Sequence, residues 1–388
     1  MRLQCFLLSL LLGTLLVKGQ VEETKWFGME TSVTGDFLSN LSGGISQDYT
    51  YIGMEEIGVT IDLETAGLWR GGEIFFHGLN THGLTPSTDI VGDMQVSSNI
   101  ESGNYTGLYQ YYIKQSIGNW SVLVGQHDLN SEFVGTEYGG TFINSSFGIT
   151  PSMSLNVPVS IYPLASLALI ASYEKENKFA AKFGMYDGDP GDPESNRYNL
   201  QPNISLDEGL LLIGEFEKKH LVNDLLESYR VGAYYHTNDF TDYEDTLSTI
   251  SGNYGMYGVA DVVLWSGFNH PHTYLGWFIQ AGWAPPKINQ VDYYLGSGMH
   301  LNGILPKRYD DAFGVAFAYA KMSTPFRNLS DNIENGELAL EFTYKIHVFE
   351  HYSIQPNLQY IINTGANSEL ENALVALLRF NIYLSNMD

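Results

Sequence analysis

The chain has 388 residues, and its 44 Asp and Glu against 19 Lys and Arg give a formal net charge of −25. This balance argues against nucleic acid as a partner, because binding to phosphates requires a basic surface. The composition also includes 26 Tyr, 20 Phe, 40 Gly and one cysteine. Such aromatic and glycine content, without cysteine pairs or long apolar helices, favours a large antiparallel β structure in one continuous unit.

The N-terminus is predicted to be a secretory signal peptide. Arg2 precedes an apolar run, Phe6–Val17, that is too short to span a bilayer as a helix. Cys5 lies at the front of this run rather than at its cleavage end, which argues against a lipoprotein anchor. We therefore predict a signal peptide over 1–19 and a single domain over 20–388 that has no disulfide.

Alternation of apolar and polar residues with a period of two dominates the remaining sequence and predicts transmembrane β-strands. In the last segment, Leu374 to Leu384, the even-numbered residues form an uninterrupted apolar face. The sixteen predicted strands, in chain order, are Trp26–Phe37, Tyr49–Asp62, Glu73–Asn80, Tyr105–Ser116, Ser121–Leu129, Ala165–Glu174, Phe179–Tyr186, Leu206–Glu217, Tyr229–Thr237, Tyr254–Trp265, Tyr274–Trp283, Tyr293–His300, Phe313–Lys321, Leu338–Lys345, Ser353–Ile361 and Leu374–Leu384.

The predicted connections alternate in length, as the turns and loops at the two rims of an outer-membrane barrel do. The short ones are Ser116–Trp120, Glu174–Lys178 and His347–His351. The long ones are Thr81–Asn104, Asn130–Leu164, Asp187–Ser205, Asn238–Asn253 and Ser323–Ile333. Three connections of medium length stand where turns are expected, namely Glu64–Gly72, Lys218–Ser228 and Leu301–Asp310.

These patterns predict an all-β fold, a transmembrane antiparallel β-barrel of about sixteen strands. A barrel of this size encloses an aqueous lumen, whereas eight strands leave no room for one. The longest connection, Asn130–Leu164, follows the fifth strand. We expect this long loop to fold into the lumen and to narrow it.

Several stretches, taken in order, resemble the carbohydrate-selective porin family of the OprB type across nearly all of 20–388. The residues that carry the resemblance are Leu108–Tyr112, Val124–Phe133, Phe142–Gly148, Tyr162-Pro163, Gly184–Gly188 and Gln355–Asn363. The chain departs from the family pattern at Gln126-His127, where a basic residue is usual, and in its few arginines.

The resemblance implies a sixteen-stranded porin of the bacterial outer membrane that admits glucose or small oligosaccharides by passive diffusion. The implied partners are these sugars, outer-membrane lipid and lipopolysaccharide, and the barrel is expected to act as a monomer or a homotrimer. The acidic composition leaves open a general or cation-preferring porin. A second alternative is a membrane-barrel enzyme acting on lipid or glycan. We predict no enzyme, because the sequence has no Gly-x-Ser-x-Gly motif and neighbouring His127 and Asp128 would point to opposite faces of a strand.

A sugar channel needs hydrogen-bonding groups for hydroxyls and flat aromatic surfaces for the apolar faces of pyranose rings, and it must bind weakly. We expect the even-numbered residues Val122 to Asn130 to form the inward face of the fifth strand. Gln110, Tyr112 and Lys114 are expected to point inward from the fourth strand. The alternative role for the carboxylates and amides is to tie the inward loop to the wall through backbone hydrogen bonds. The predicted pore-constriction and substrate-binding residues are Gln110, Tyr112, Gln126, Asp128, Asn130, Glu132, Asn144, Phe147 and Arg379.

One run rich in Asp, Gly and Pro could hold a structural calcium ion through hard oxygen ligands. Its spacing does not match an EF-hand, and such runs are ordinary turn formers. The calcium candidates are Asp187, Asp189, Asp192 and Glu194. No other cofactor or metal is predicted.

Overall fold

Sixteen strands form a closed antiparallel barrel in which β1 also pairs with β16. The computed structural model describes residues 25–191, 196–202, 207–267 and 273–387, so the predicted signal peptide over 1–19 lies outside the described residues. The strands are β1 Phe27–Gly44, β2 Tyr49–Asp62, β3 Gly72–Gly83, β4 Tyr105–Ile117, β5 Trp120–His127, β6 Ser166–Lys175, β7 Phe179–Asp187, β8 Leu210–Val222, β9 Leu225–Thr241, β10 Thr249–Ser266, β11 Tyr274–Trp283, β12 Val291–Asn302, β13 Ala312–Met322, β14 Gly336–Phe349, β15 Tyr352–Ile362 and β16 Glu371–Ser385.

In the described ranges, helical structure is confined to short turns in the connections. Two four-residue α-helices are α1 Pro151–Ser154 and α2 Thr324–Arg327. The other helical turns are Ser87–Val91, Leu129–Ser131, Gly139–Thr141, Ser145–Phe147 and Thr364–Ala366. Within the described ranges, no helix has both the length and the apolarity needed to cross a bilayer.

The prediction of sixteen antiparallel strands is confirmed, but the medium-length connection over Lys218–Ser228 was wrong. β8 and β9 continue to Val222 and Leu225, so that only Asn223 and Asp224 remain as the turn. Both have positive φ, 50° and 64°, which is the geometry of a tight hairpin that matches strand twist. The polar ends of these strands hid the hairpin from the alternation pattern. The other two medium connections are turns over residues 63–71 and 303–311.

The outer face of the barrel is apolar and aromatic, as contact with lipid requires. On β15, Tyr352, Ile354, Leu358 and Tyr360 are exposed on one face, while polar side chains alternate with them on the other, buried face. Aromatic residues stand toward both ends of the outer face, as in β10, which carries Tyr254 and Trp265. This arrangement defines which face of every strand points into the lumen.

The predicted orientation of the fifth strand was wrong. Val122 and Val124 are 44% and 55% exposed on the outer face, and Gln126 shares their parity. The inward residue is Leu123, which is buried in an apolar cluster with Leu129. An inward apolar residue is stable here because protein, rather than water, covers it. The assumption that inner faces are polar therefore fails wherever a loop lies against the wall.

A surface of small residues lines the inner face of β11 to β14. It consists of Gly276, Gly282, Gly296, Gly298, Gly314, Ala316, Ala318, Ala320 and Ala339. A Cβ atom on Gly276 would lie 2.7 Å from the ring of Tyr138, and one on Gly314 would lie 2.7 Å from the ring of Phe142. Tyr138 and Phe142 belong to the connection between β5 and β6, so the small residues allow this connection to lie flat on the wall.

Replacing Gly314 by Val is expected to push the β5–β6 connection away from the wall. Overpacking of this kind costs about 1–3 kcal/mol. We expect the connection to move rather than the wall, because a closed barrel is harder to deform than a loop. We expect a folded, heat-resistant barrel whose single-channel conductance in planar bilayers is higher than that of the wild type. The matched control is Gly258→Val, since a Cβ there meets only one atom, at 3.7 Å. Equal conductance for both variants would contradict the packing role of Gly314.

Candidate functional site

Two connections fill much of the lumen. We call residues 84–104, between β3 and β4, the first inward loop, and residues 128–165, between β5 and β6, the second inward loop. Val91 and Ser97 of the first, and Ile143 and Met153 of the second, are completely or almost completely buried although none belongs to a strand. The prediction that a long loop after the fifth strand folds inward is confirmed, and the first inward loop is an addition that the sequence did not indicate.

Carboxylates on the inner wall accept hydrogen bonds from backbone N–H groups of the second inward loop. Glu341 of β14 accepts from the N–H of Ile143 at 2.7 Å and of Asn144 at 3.0 Å. Asp261 of β10 accepts from the N–H groups of Glu137 and Tyr138, both at 3.2 Å. Glu215 of β8 accepts from Val134 N–H at 2.9 Å. The helical turns of this loop pair only some of its backbone amides, and the wall supplies acceptors for these others.

The first inward loop is likewise held by carboxylates of the wall, on β14 and β1. Glu337 of β14 accepts from the N–H groups of Met94 and Gln95, each at 3.0 Å. Asp36 of β1 accepts from the Ser98 hydroxyl at 2.6 Å. The two loops also contact each other, since Asn99 N–H donates to the Ile143 carbonyl at 2.9 Å. The pair of loops therefore forms one layer across the barrel.

Donor side chains of the wall meet the carbonyl groups of the second inward loop. Each donor lies on a different strand from its neighbours in this set, so the loop is fixed around much of the circumference. The donor and acceptor pairs are Gln355 to Thr141 at 2.8 Å, Tyr294 to Ser146 at 2.7 Å, Gln280 to Phe147 at 3.1 Å, Lys182 to Glu132 at 2.9 Å and Arg230 to Gly135 at 2.6 Å.

Three predicted residues, Asp128, Asn130 and Asn144, make the backbone contacts that the alternative role required. Asp128 accepts from Asn130 N–H at 2.9 Å. Asn130 donates to the carbonyls of Phe133 at 3.2 Å and Gly148 at 3.0 Å. The Asn144 carbonyl oxygen accepts from Ser146 N–H at 3.0 Å, and its amide donates to Gln359 at 3.1 Å. These hydrogen bonds shape the second inward loop.

Gln126, Phe147 and Gln110 are also buried. Gln126 lies on the outward parity of β5, with its amide 3.5 Å from the Tyr109 carbonyl. Phe147 packs against Phe142 and Phe278 with ring centroids 5.0 and 5.7 Å apart. The Gln110 carbonyl oxygen accepts from Asp128 N–H at 3.0 Å. None of these three side chains presents much surface to the lumen.

The remaining predicted residues are partly open to the lumen, and two of them form ion pairs. Arg379 makes a two-point contact with Asp36, with both N···O distances 2.8 Å. Lys182 lies 2.6 Å from Glu132, and the two side chains are 18% and 24% exposed. Tyr112 stands on the inner face of β4, opposite Phe75 of β3. Arg379, Glu132 and Tyr112 are therefore the predicted residues that keep partial exposure inside the barrel.

Burial shifts the pKa of several carboxyl groups in the two inward loops. Burial raises the pKa of Asp128 to about 6 and that of Glu101 to about 7. At Glu132 burial acts in the same direction, but the nearby Lys182 ammonium outweighs it and lowers the pKa. The first inward loop therefore contains a group that ionises near neutral pH.

The calcium candidates are only partly described. Asp187 is buried, and Asp189 accepts from Gly191 N–H at 2.8 Å, whereas Asp192 and Glu194 lie outside the described residues. In the described part of the chain, no three His, Cys, Asp or Glu residues stand close enough to hold a metal ion. A calcium site that uses all four residues stays a prediction.

Sequence reasoning missed the four wall carboxylates Glu215, Asp261, Glu337 and Glu341. Their signal is present, since each is an acidic residue at an inner-face position of a strand whose outer face is apolar. Alternation alone marks such residues as lumen-facing. It does not separate a carboxylate that contacts water from one that binds a loop, because that difference depends on residues more than 80 positions away.

Removal of one anchor should loosen the second inward loop. Glu341→Gln replaces one of two acceptor oxygens by an amide donor that faces a backbone N–H, which costs about 1–3 kcal/mol when the group is buried. We expect higher and noisier single-channel conductance. Glu371→Gln, at an exposed position, is the control. Identical current traces from both variants would show that Glu341 does not hold the loop.

The first inward loop should respond to pH through Glu101. Because the pKa of this carboxyl is raised to about 7, its charged form is disfavoured in the packed loop. The packing free energy is therefore full below about pH 4.5 and falls as the pH rises to about 7. We expect lower conductance noise at pH 5 than at pH 8, and a smaller difference in Glu101→Gln. Exposed Glu350→Gln should keep the wild-type pH dependence.

Known proteins share this architecture. Porin B of Pseudomonas aeruginosa is 25% identical, over 91% of this chain and 86% of that protein. The high-pH structure of Pseudomonas putida OprB superimposes with a TM-score of 0.85 at 22% identity, covering 92% of this chain and 94% of that one. An anion-selective porin from Comamonas acidovorans gives 0.52 at 9% identity, covering 92% and 98%.

A family-level match decides the relationship, because the two solved structures, each below 25% identity, support the fold alone. The sequence pattern of the family described as "Carbohydrate-selective porin, OprB family" matches residues 46–384. That range includes every strand from β2 to β15 and nearly all of β16. The chain therefore belongs to the carbohydrate-selective porin family and is a channel of the bacterial outer membrane rather than an enzyme.

Proposed function

We propose that this channel conducts neutral sugars, such as glucose or small oligosaccharides, by passive diffusion. The observation that carries the proposal is the compensation of charge around the narrowed lumen. Asp36 is paired with Arg379, and Glu132 is paired with Lys182. A lumen whose charges are paired does not concentrate ions of one sign. It still offers many hydrogen-bonding groups to a neutral solute.

Hydrogen-bond donors remain available beside these pairs. Arg379 uses Nε and Nη2 for Asp36 and Ser98, and its Nη1 makes no hydrogen bond to any described residue. Lys114 and Lys345, on the inner faces of β4 and β14, make no ion pair with any residue that the structure describes. Such donors suit sugar hydroxyls, which bind weakly enough to leave again.

The names of relatives support the same cargo. The matching family is described as carbohydrate-selective, and the Pseudomonas putida protein of similar structure carries the family's name, OprB. The formal charge of −25 would favour a cation-preferring porin if the acidic groups stood free in the lumen. Four of them, Glu215, Asp261, Glu337 and Glu341, instead bind backbone amides of the inward loops. This use of acidity supports a neutral solute.

We also propose outer-membrane lipid and lipopolysaccharide as the partners of the outer face. The support is its apolar surface between aromatic residues, as on β9, where Val231 and Ala233 lie between Tyr229 and Tyr235. Rings at the two ends of a strand suit the two membrane–water interfaces.

Liposome swelling tests the cargo. We expect faster swelling with glucose and maltose than with an uncharged polymer of equal size that is not a sugar. Reversal potentials in a salt gradient should stay close to zero, as weak ion selectivity predicts. Equal swelling rates for all solutes would reject sugar preference, and a large cation-selective potential would favour the alternative porin.

Uncoupling the ion pair should change selectivity in a predictable direction. Arg379→Gln leaves the buried Asp36 carboxylate without its cation, so we expect a shift of the reversal potential toward cations and weaker block by glucose. Leaving one charge of a buried pair unpaired also destabilises the barrel by about 3–5 kcal/mol. The double variant Asp36→Asn/Arg379→Gln restores neutrality and should recover the wild-type reversal potential. A double variant as cation-selective as Arg379→Gln would disprove the compensation argument.

A further inference from the structure

Five rings form a continuous row on the lumen side of β3 and β4, and we call them the aromatic strip. They are Phe75, His77, Tyr109, Tyr112 and Tyr162. The ring centroids of Phe75 and Tyr112 are 5.1 Å apart, those of His77 and Tyr109 5.4 Å, and those of Tyr109 and Tyr162 6.3 Å. Only Tyr162 comes from a loop, so the strip is built on rigid strands.

The strip runs from the two inward loops toward the turns opposite them. At one end, Tyr162 donates to the Ile100 carbonyl of the first inward loop at 2.7 Å. At the other end, Phe75 stands three residues from Gly72, where β3 leaves its turn at residues 63–71. The chain termini and short turns share this rim, which is the periplasmic rim in such barrels. The end of the strip that contains Phe75 and Tyr112 therefore lies on the periplasmic side of the narrowing.

The exposure of Phe75 has no structural explanation in the described residues. Phe75 is partly exposed on the inner face, where Thr60 stands opposite it on β2. Tyr112 touches the apolar cluster beneath the second inward loop, but Phe75 does not belong to any buried cluster. An apolar ring that faces an aqueous lumen loses the benefit of burial unless a solute covers it.

Polar groups along the edges of the strip either fix the ring of His77 or face the lumen. Glu56 lies 3.2 Å from His77 and also accepts from the Ser32 hydroxyl at 2.7 Å. Gln110 lies 3.3 Å from the other ring nitrogen of His77. Lys114 follows Tyr112 on the same inner face of β4. A flat apolar surface with polar edges matches a pyranose ring, which has C–H groups on its faces and hydroxyls around its rim.

We propose that the aromatic strip is a sugar-binding track on the periplasmic side of the narrowed lumen, with Phe75 and Tyr112 as its stacking surface. This inference rests on the proposed function, because it assigns a place to the same cargo. It places sugar binding on one side of the narrowing. A sugar that enters from the periplasmic side meets the strip before the inward loops, whereas one that enters from outside meets the strip after them.

Sided block in planar bilayers tests the track. Cys5 is the only cysteine, so a Leu247→Cys background, at a position that is 98% exposed in the β9–β10 connection, allows a membrane-impermeant thiol reagent to report orientation. In this background we compare Phe75→Leu with Phe76→Leu, since Phe76 is the outward neighbour on the same strand. Phe75→Trp serves as the variant that keeps a flat ring.

The expected result for Phe75→Leu is that half-block from the periplasmic side needs a roughly fivefold higher glucose concentration, as loss of about 1 kcal/mol of ring contact implies. Block from the extracellular side should stay within twofold of the wild type, as should both sides for Phe76→Leu and Phe75→Trp. If Phe75→Leu leaves glucose block unchanged, or weakens it equally from both sides, the track is overturned and the proposed function is not. A wild-type channel without glucose block on either side overturns the proposed function and the track with it.

Discussion

The pore depends on one type of contact, the hydrogen bond from a loop amide to a carboxylate on the barrel wall. Nearly sixty residues lie in two inward loops with little secondary structure, and each buried N–H needs an acceptor there. Glu337 and Glu341 lie on the same face of β14, four residues apart, and each accepts hydrogen bonds from a different inward loop. Since both loops also bond to each other, β14 fixes the layer that narrows the lumen.

Packing and polarity divide the wall into sectors that follow from this layer. Where the second inward loop lies against β11 to β14, many of the wall residues are glycine or alanine. Tyr138 and Phe142 can therefore approach the strand backbone closely. Where it lies against β5 to β8, the inner face is apolar, as at Leu123 and Ile213. On the periplasmic half of β3 and β4 the inward loops leave part of the wall uncovered. Rings and polar groups, such as Phe75 and Lys114, are partly exposed there. This sector therefore offers a solute rings as well as polar groups, beside the donors Lys345 on β14 and Arg379 on β16.

The barrel could be predicted from the sequence because lipid imposes a uniform rule on every outer face. In β16 the apolar even-numbered residues point outward as expected, and the sixteen strands agree in order and number. The inner faces follow no such rule. Val375 and Leu377 are apolar but inward, since Ile90 and Val91 of the first inward loop cover them. The same effect reversed the predicted orientation of β5. The first inward loop also escaped prediction, because its anchors on β1 and β14 are far away in sequence.

In the candidate site, residue type predicted which side chains can form hydrogen bonds but not which partners they bind. Asp128, Asn130 and Asn144 have side chains that suit a sugar equally well, but in the fold their polar atoms are occupied by the backbone of the second inward loop. Arg379 could be expected at the lumen from parity, whereas its pairing with Asp36 depends on the closure of β1 against β16. A strongly acidic chain thus contains a pore in which acidic groups are bound by amides and by scarce cations. The acidity that suggested a cation channel is, in the lumen, largely the means by which the loops are held.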